Sequence, residues 1–426
     1  MAKFREVLRN RNFFFLWIGQ IISQLGDRLD QMALIAFVYS RSPGSTIEIA
    51  KLLSFTIIPV FLIGPIAGAY VDRWDRRLTM SICDFLRAVL VLAIPLFLFY
   101  SKSLAPIYLI IFVVFCIGRF FVPAKLSIIP DLVQGKDLLM ANSLVNTTGM
   151  IAAILGFGAS GMLVQWLGAK IGFYLDSLSF LVSGTCIFLI AKKPKAFAGS
   201  ADPTGSARLV EVGHQIVEVI RKSVYQDIKE GVWYFIRKKD IRFTAVLIFV
   251  LWSALGASYA VTIAFVQKTL HSATKDLGLL VMFLGFGLFF GSLSYGRFGQ
   301  RLSHYKIIFA SLVFSGIMLL VFARIVYLYP HFWVAAALAL GLGVSVAPIM
   351  IASNTIVHNA SDDQMRGKIF SSLEIVMHLG FLVFMLLSSI LAERFSHVLI
   401  LSIVGVFVSI LGLAHIICYR KIPWLD

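Results

Sequence analysis

Val89-Leu90-Val91-Leu92-Ala93-Ile94-Pro95-Leu96-Phe97-Leu98-Phe99-Tyr100, a polar break at Ser101-Lys102-Ser103, then Ile107-Tyr108-Leu109-Ile110-Ile111-Phe112-Val113-Val114-Phe115: this stretch decides the architecture. Followed to their ends, the two runs cover 78–100 and 104–129. Each is at least as long as the roughly 20 residues a helix needs to cross the hydrocarbon core of a bilayer. Backbone polar groups placed in lipid are satisfied only by helices or by a closed barrel. The ten-residue alternation of barrel strands is absent, so the runs are read as helices.

Similar runs recur along almost the whole chain. They predict further spans at 13–39, 47–70, 138–167 and 170–191, and in the second half at 241–267, 277–296, 305–326, 331–354, 366–392 and 396–418. The sequence therefore predicts an all-α membrane protein of twelve transmembrane helices in two pseudo-symmetric six-helix bundles. Residues 1–191 form the first bundle, 192–240 a polar linker and 241–426 the second. The linker begins Lys192-Lys193-Pro194-Lys195 and ends near Arg237-Lys238-Lys239. The composition agrees: 59% of residues are apolar and 14% charged, whereas soluble domains carry about a quarter charged residues. The first run starts near Phe13 behind Lys3, Arg5, Arg9 and Arg11, continues into charged residues and shows no small-residue cleavage site, so it is read as an uncleaved span.

An even number of spans puts both termini on one side. Assigned to the nearer end of these spans, 28 of the 38 Lys and Arg residues fall on the side of the termini and the linker and eight on the other side, with Arg28 and Arg87 set apart as lying deep within spans. The positive-inside rule then places the termini and linker in the cytoplasm. The net charge of +16 is thereby assigned to the membrane face, where it meets anionic headgroups, and a nucleic-acid partner is not expected. Cys83, Cys116, Cys186 and Cys418 show no paired spacing, so neither metal, disulfide nor other cofactor is expected. No phosphate-cradling glycine loop and no nucleophile–base constellation is present; an enzyme is not predicted.

Span 1 carries the densest signal. At 100° per residue, Gln20, Ser23, Gln24, Asp27, Arg28, Asp30 and Gln31 share one arc, and Ile21, Ile22, Leu25, Gly26, Leu29, Met32 and Ala33 fill the other. Charged groups at mid-membrane cost several kcal/mol unless they pair or face water, so this face is expected to line a hydrated cavity. Asp27 and Asp30 are candidates to bind and release a proton there. Arg28 and one of the aspartates can instead form a fixed ion pair that ties span 1 to its neighbours. In span 11, Ser371, Glu374 and His378 share a face; the Glu and His either relay protons or bond each other as a packing device.

Gly68-Ala-Tyr-Val-Asp-Arg-Trp-Asp-Arg-Arg77 after span 2 has a degenerate partner in Gly291–Arg301 after span 8, and Ala141-Asn142-Ser143-Leu144 corresponds to Arg366–Ser371. Repeated halves with a site between them are a transporter plan. The first of these stretches resembles the loop motif G-x-L-A-D-R-x-G-R-R of the major facilitator superfamily, matching at Gly68, Asp72, Arg73, Arg76 and Arg77, with Tyr70 and Asp75 as departures. Leu16-Trp17-x-Gly19-Gln20, Gly26-Asp27, Pro130-Asp131-Leu132-Val133, Asp176–Phe180, Asp227–Gly231 and Met365–Lys368 resemble the macrolide-efflux and siderophore-export branch. Pro123-Ala124-Lys125 is similar to bacterial lysophospholipid transporters. Drug/proton antiporters of the superfamily often carry Gly-Pro in span 5; here Gly156-Phe-Gly158-Ala-Ser-Gly161 has no proline.

The resemblance implies a gate at Gly68, Asp72, Arg73, Arg76 and Arg77, with Asp72 beside the start of span 11 and the arginines paired to acidic groups when the cytoplasmic side is closed. It also implies a cavity role for Arg119 and, toward a lipid phosphate, for Lys125; each can equally snorkel to the interface. The expected function is a monomeric, proton-coupled secondary exporter of drug-like amphipathic molecules in the bacterial inner membrane, working by alternating access. A lysophospholipid flippase, or a membrane scaffold or sensor on a transporter fold, stands beside it.

Overall fold

The computed structural model describes residues 4–71, 74–100, 103–191, 239–299, 303–360 and 366–419. Asp72 and Arg73 lie outside them, as does the linker but for its last two residues. After a short α1 (Phe4–Arg9), the first half contains α2 (Arg11–Arg41), α3 (Thr46–Leu62), α4 (Gly64–Val71), α5 (Arg76–Tyr100), α6 (Ala105–Leu132), α7 (Leu138–Leu167) and α8 (Ala169–Phe188). The second half contains α9 (Lys239–Leu270), α10 (Lys275–Phe298), α11 (His304–Leu328), α12 (Phe332–Ala360), α13 (Arg366–Ala392) and α14 (His397–Tyr419). No strand occurs among the described residues.

Ten of these helices are long and apolar enough by themselves to cross a membrane. The other two spans are special. α2 is 31 residues long but carries Asp27, Arg28 and Asp30, which lower its hydropathy. The second span is two helices rather than one: it breaks at Ile63, and Gly64-Pro65 follow. Proline has no N–H for the helical ladder, so the uniform apolarity that predicted one helix hid a break. Asn10 starts α2 by accepting hydrogen bonds at Oδ1 from the backbone N–H groups of Asn12 (3.1 Å) and Phe13 (3.3 Å). Its amide donates to the Leu132 carbonyl at 2.6 Å, tying the start of α2 to the end of α6.

The packing repeats in the two halves. α2 packs on α7 and α8, as α9 packs on α13 and α14; α5 packs on α6 and α8, as α11 packs on α12 and α14; α3 packs on α6, as α10 packs on α12. Lipid offers no hydrophobic drive between helices, so small residues set close approach. Gly316 on α11 faces Gly405 on α14, and Gly287 on α10 faces Gly343 on α12. The halves meet through α7 on α10 and α13 on α3, related by the same pseudo-symmetry, and through a smaller contact of α9 on α3.

Those contacts seal one end only. A single apolar core joins Met32, Phe37, Ile49, Ile94, Ile111 and Phe173 of the first half to Val261, Phe265, Leu277, Phe322, Ala335 and Leu401 of the second. At the end that carries both chain termini the cores are separate. One holds Phe13, Leu16, Met80, Ile129 and Ile187; others hold Leu247, Ile308, Phe309 and Ile356, and Ile248, Val357, Ile369 and Leu373. The bundles are closed together at the far end and parted at the terminus end.

Two capped helix starts hold the far end. Glu393, at the end of α13, accepts at Oε1 from Ser45 Oγ (3.1 Å), Thr46 Oγ1 (3.4 Å) and the Ile47 N–H (3.4 Å) at the start of α3. Thr46 Oγ1 is also 3.0 Å from the Ser389 carbonyl. In the pseudo-symmetric place, Gln165 Oε1 accepts from the Thr274 N–H before α10 at 3.3 Å, and Thr274 Oγ1 donates to the Gly161 carbonyl at 3.0 Å. Each half thus satisfies the orphan N–H groups of a helix start in the other.

Candidate functional site

The polar face of α2 does not point one way. Gly19 and Gly26 let it press on α8: a Cβ on Gly19 would lie 3.3 Å from Cys186 Cβ, and one on Gly26 would collide with Asp176 and Ser179. This approach turns Gln20, Ser23 and Asp30 into the first bundle, where they are buried. They were expected to line the cavity with the rest of the arc. A helical wheel fixes angles about one axis, and the placement of α5 and α8 against that axis decides which angles meet water. Gln24 lies over Gly149 of α7. Arg28 donates to Gln31 Oε1 at 2.9 Å and stacks 4.7 Å above the ring of Phe157 on α7.

Asp27 does reach a charge partner, from another helix. Arg87 on α5 bonds Asp84 one turn before it and lies 4.0 Å from Asp27 Oδ1. Asp84 is fully buried and also accepts from Ser183 Oγ at 2.7 Å. The Arg87 guanidinium is flanked by Phe121 at 4.7 Å and Phe180 at 4.2 Å, which orient it through cation–π contact. Asp27 remains 38% exposed at its side chain, and the charge of Lys125 on α6 acts on both Asp27 and Arg87. Asp176 on α8, fully buried, bonds Ser179 and lies within reach of the charges of Asp30 and Asp27. Asp27, Asp30, Asp84, Arg87, Lys125 and Asp176 are thus one charge cluster inside the first bundle.

The second half presents rings instead. His378 on α13 is 5.5 Å from Trp252 and 6.4 Å from Phe61 of α3; Phe381 is 6.1 Å from Trp252 and 5.6 Å from Tyr259. His378 Nδ1 pairs with the backbone carbonyl of Glu374 at 2.8 Å; Glu374 is exposed, and its charge acts on Arg119 across the interface. The Ser371 backbone belongs to α13, and its side chain lies outside the described set. Between the halves, Gln31, Leu52, Phe157, Tyr259, Ile263 and Val281 help to line a cavity of about 50 Å³. Drug-sized pockets run to roughly 300–1,000 Å³, so this cavity is by itself too small for a drug-sized molecule.

Within the expected gate, Arg76 donates to Asp131 Oδ2 at 2.5 Å and to the Ser127 carbonyl at 3.1 Å, both on α6. Arg77 donates to the Ile190 carbonyl past the end of α8 and lies 5.4 Å over Phe188. These partners belong to the same half as the arginines. A Cβ at Gly68 would meet nothing within 4 Å. At the parted terminus end the loop is tied to its own bundle.

Sequence reasoning passed over Asp84, Arg87 and Asp176 as functional groups. The signal existed: Asp84 and Arg87 stand at i and i+3 within an apolar run, where ionisable residues are rare and paired. Which of the many aromatics would line the second half was not readable, because rings in a membrane chain serve lipid, packing and cavity alike.

Twelve spans in two pseudo-symmetric halves, a shared core at one end and a charge cluster beside the interface define a membrane transporter. The profile of the Major Facilitator Superfamily matches residues 16–285 and 245–423, and the chain belongs to that family. It is 24% identical over 374 residues to the uncharacterized MFS-type transporter YkuC of Bacillus subtilis, covering 85% of this chain and 81% of that protein. To Macrolide efflux protein A of Streptococcus pyogenes it is 21% identical, covering 90% and 89%. Among solved structures, the nucleoside transporter NupG superposes with a TM-score of 0.73 at 12% identity over 96% of this chain and 99% of that one. A bacterial homologue of the iron transporter ferroportin, in its inward-facing state, gives 0.69 at 15% identity over 95% and 98%. These likenesses carry the fold.

Proposed function

We propose that the protein is a secondary exporter of amphipathic or hydrophobic small molecules, driven by protons and working by alternating access. The observation that carries this is the asymmetry of the central space. On the first-half side α2 carries charged and amide groups, Asp27, Arg28 and Gln31, and on the second-half side α9 and α13 carry the ring cluster of Trp252, Tyr259, His378 and Phe381; of these, Gln31 and Tyr259 line the cavity between the halves. A molecule with one polar end and one apolar ring system meets a matching wall on each side. Likeness to Macrolide efflux protein A supports the same substrate class. The excess of Lys and Arg at the terminus end makes that end cytoplasmic, and the conformer is then open inward, ready to load.

Asp27 is the coupling carboxylate in this reading. It is exposed enough to exchange a proton with the central space and is held beside Arg87 when ionised. Charging and neutralising it changes how tightly α2 is tied to α5, and a ligand shifts a two-state equilibrium only through such differential interactions. The test is proton flux in proteoliposomes under an imposed pH gradient, wild type against Asp27→Asn. Macrolides, lipophilic cations and lysophospholipids are added singly. Drug-evoked proton release lost in Asp27→Asn is the expected result. A response confined to lysophospholipids and abolished by Arg119→Ala would instead establish lipid transport, and no flux of any compound would leave a scaffold or sensor.

A further inference from the structure

Among the described residues, neither Asp30 on α2 nor Asp176 on α8 forms a salt bridge. Asp176 is 0% exposed and Asp30 6%. Asp176 Oδ2 and Asp30 Oδ1 are buried with no hydrogen-bond partner, and the two groups lie close enough for their charges to act on each other. Ser179 Oγ is 2.8 Å from the Asp176 carbonyl and 3.2 Å from its Oδ1. Gly26 permits the approach, since a Cβ there would collide with both Asp176 and Ser179.

The cations nearby are committed elsewhere. Arg87 on α5 bonds Asp84 and lies beside Asp27; its charge also reaches Asp176, but the two form no salt bridge. Arg28 on α2 is turned to Gln31 and Phe157. Lys125 on α6 acts on Asp27 and Arg87. α7, which packs on both α2 and α8, carries no Asp, Glu, Lys, Arg or His between Leu138 and Leu167; α3 and α1 also touch α2, α3 carrying Glu48 and Lys51, which pair with each other, and α1 carrying Arg5, Glu6 and Arg9 before the start of α2. Two ionised carboxylates side by side without a cation would each bear a desolvation cost of several kcal/mol. As neutral acids they carry protons to place on the orphan oxygens.

We infer that Asp176 and Asp30 hold the transported proton between them, and that Asp27 passes it to and from the central space. In the loaded state both acids are neutral. On release, an O–H bond breaks on Asp30 and forms on Asp27, then breaks there as the proton passes to water. The pair keeps one proton and one negative charge shared between two carboxyls. This inference rests on the antiport reading and adds the groups that store the proton.

Two measurements on the full chain test it. The first is infrared spectroscopy of the purified protein at neutral pH, reading the C=O stretch of protonated carboxyls. Wild type is expected to show it, and Asp176→Asn and Asp30→Asn to diminish it. Asn copies the shape of a neutral acid, so both variants are expected to fold with unchanged melting temperature. The second is the proteoliposome assay: Asp176→Asn is expected to cut drug-evoked proton release at least about tenfold, as lost stabilisation of 1.36 kcal/mol would, while downhill drug flux continues. A stretch absent from wild type or unaltered in both variants, or full proton release in Asp176→Asn, overturns the inference and leaves antiport standing. A stretch that the variants remove, with no compound evoking proton release from wild type, overturns antiport and with it the transport role of the pair.

Discussion

Arg87 serves two carboxylates from a position with almost no access to water. Asp84 is fully buried, and its only cation within bonding distance among the described residues is Arg87. Removing one partner of a buried ion pair strands the other charge, typically at a cost of about 3–5 kcal/mol. Arg87→Met is therefore expected to destabilise the protein by about that amount, seen as a lowered melting temperature in detergent. Arg87→Met combined with Asp84→Asn is expected to recover most of the loss, because no fully buried charge is then stranded: Asp27, the other partner of Arg87, is 38% exposed and keeps the charge of Lys125 nearby. A double variant no better than the single would refute the pairing as the cause. This residue scale is where the sequence was least legible. It marked Asp27 and Asp30 as chemically loaded, because polar groups in an apolar run stand out. Their partners Arg87 and Asp176 come from helices distant in the chain, and no periodicity in α2 reports which helices press against it.

At the scale of elements, hydrophobicity nearly dictates the result. Predicted and observed helix ends agree within a few residues for most spans, since a bilayer demands uninterrupted helix wherever the chain is apolar for long enough. The break at Ile63 escaped because Gly64-Pro65 sits inside apolar sequence. The helix starts hold a feature that hydrophobicity does not encode, the capping of α3 by Glu393 and of α10 by Gln165. An N-terminal helix cap contributes about 0.5–2 kcal/mol, and here it acts across the two halves, so it exists only while the far end is closed. Glu393→Ala is expected to loosen that end. The readout is thiol labelling of Thr56→Cys, which lines the small cavity between the halves, in a chain stripped of its native cysteines. About 1 kcal/mol would raise labelling from the far side roughly fivefold. Replacing Gln165 by Ala is expected to act in the same direction through the other contact. Unchanged labelling in both variants would show that the caps do not hold the gate.

For the whole molecule, alternating access requires that some close contacts be permanent and others belong to one state. The glycines separate the two kinds. On α9, Gly256 faces the backbone of Phe381 on α13; a Cβ there would strike the Phe381 carbonyl, and both helices belong to the second half. That contact is part of the bundle and should persist in every state. Gly278 on α10 faces Gly161 and the Phe157 carbonyl on α7, in the other half, so a Cβ there presses only on the closed far end. Overpacking costs about 1–3 kcal/mol in either place, but the two substitutions should spend it differently. Gly256→Ala has no state in which to escape the clash and is expected to lower the melting temperature. Gly278→Ala can relieve it by parting α7 from α10, so its melting temperature should hardly move while labelling of Thr56→Cys from the far side rises. Rocking of two rigid halves about their interface predicts this division of effects. Equal destabilisation by both, without a change in labelling, would mean that α7 and α10 remain joined throughout, and that the halves do not part at this seam.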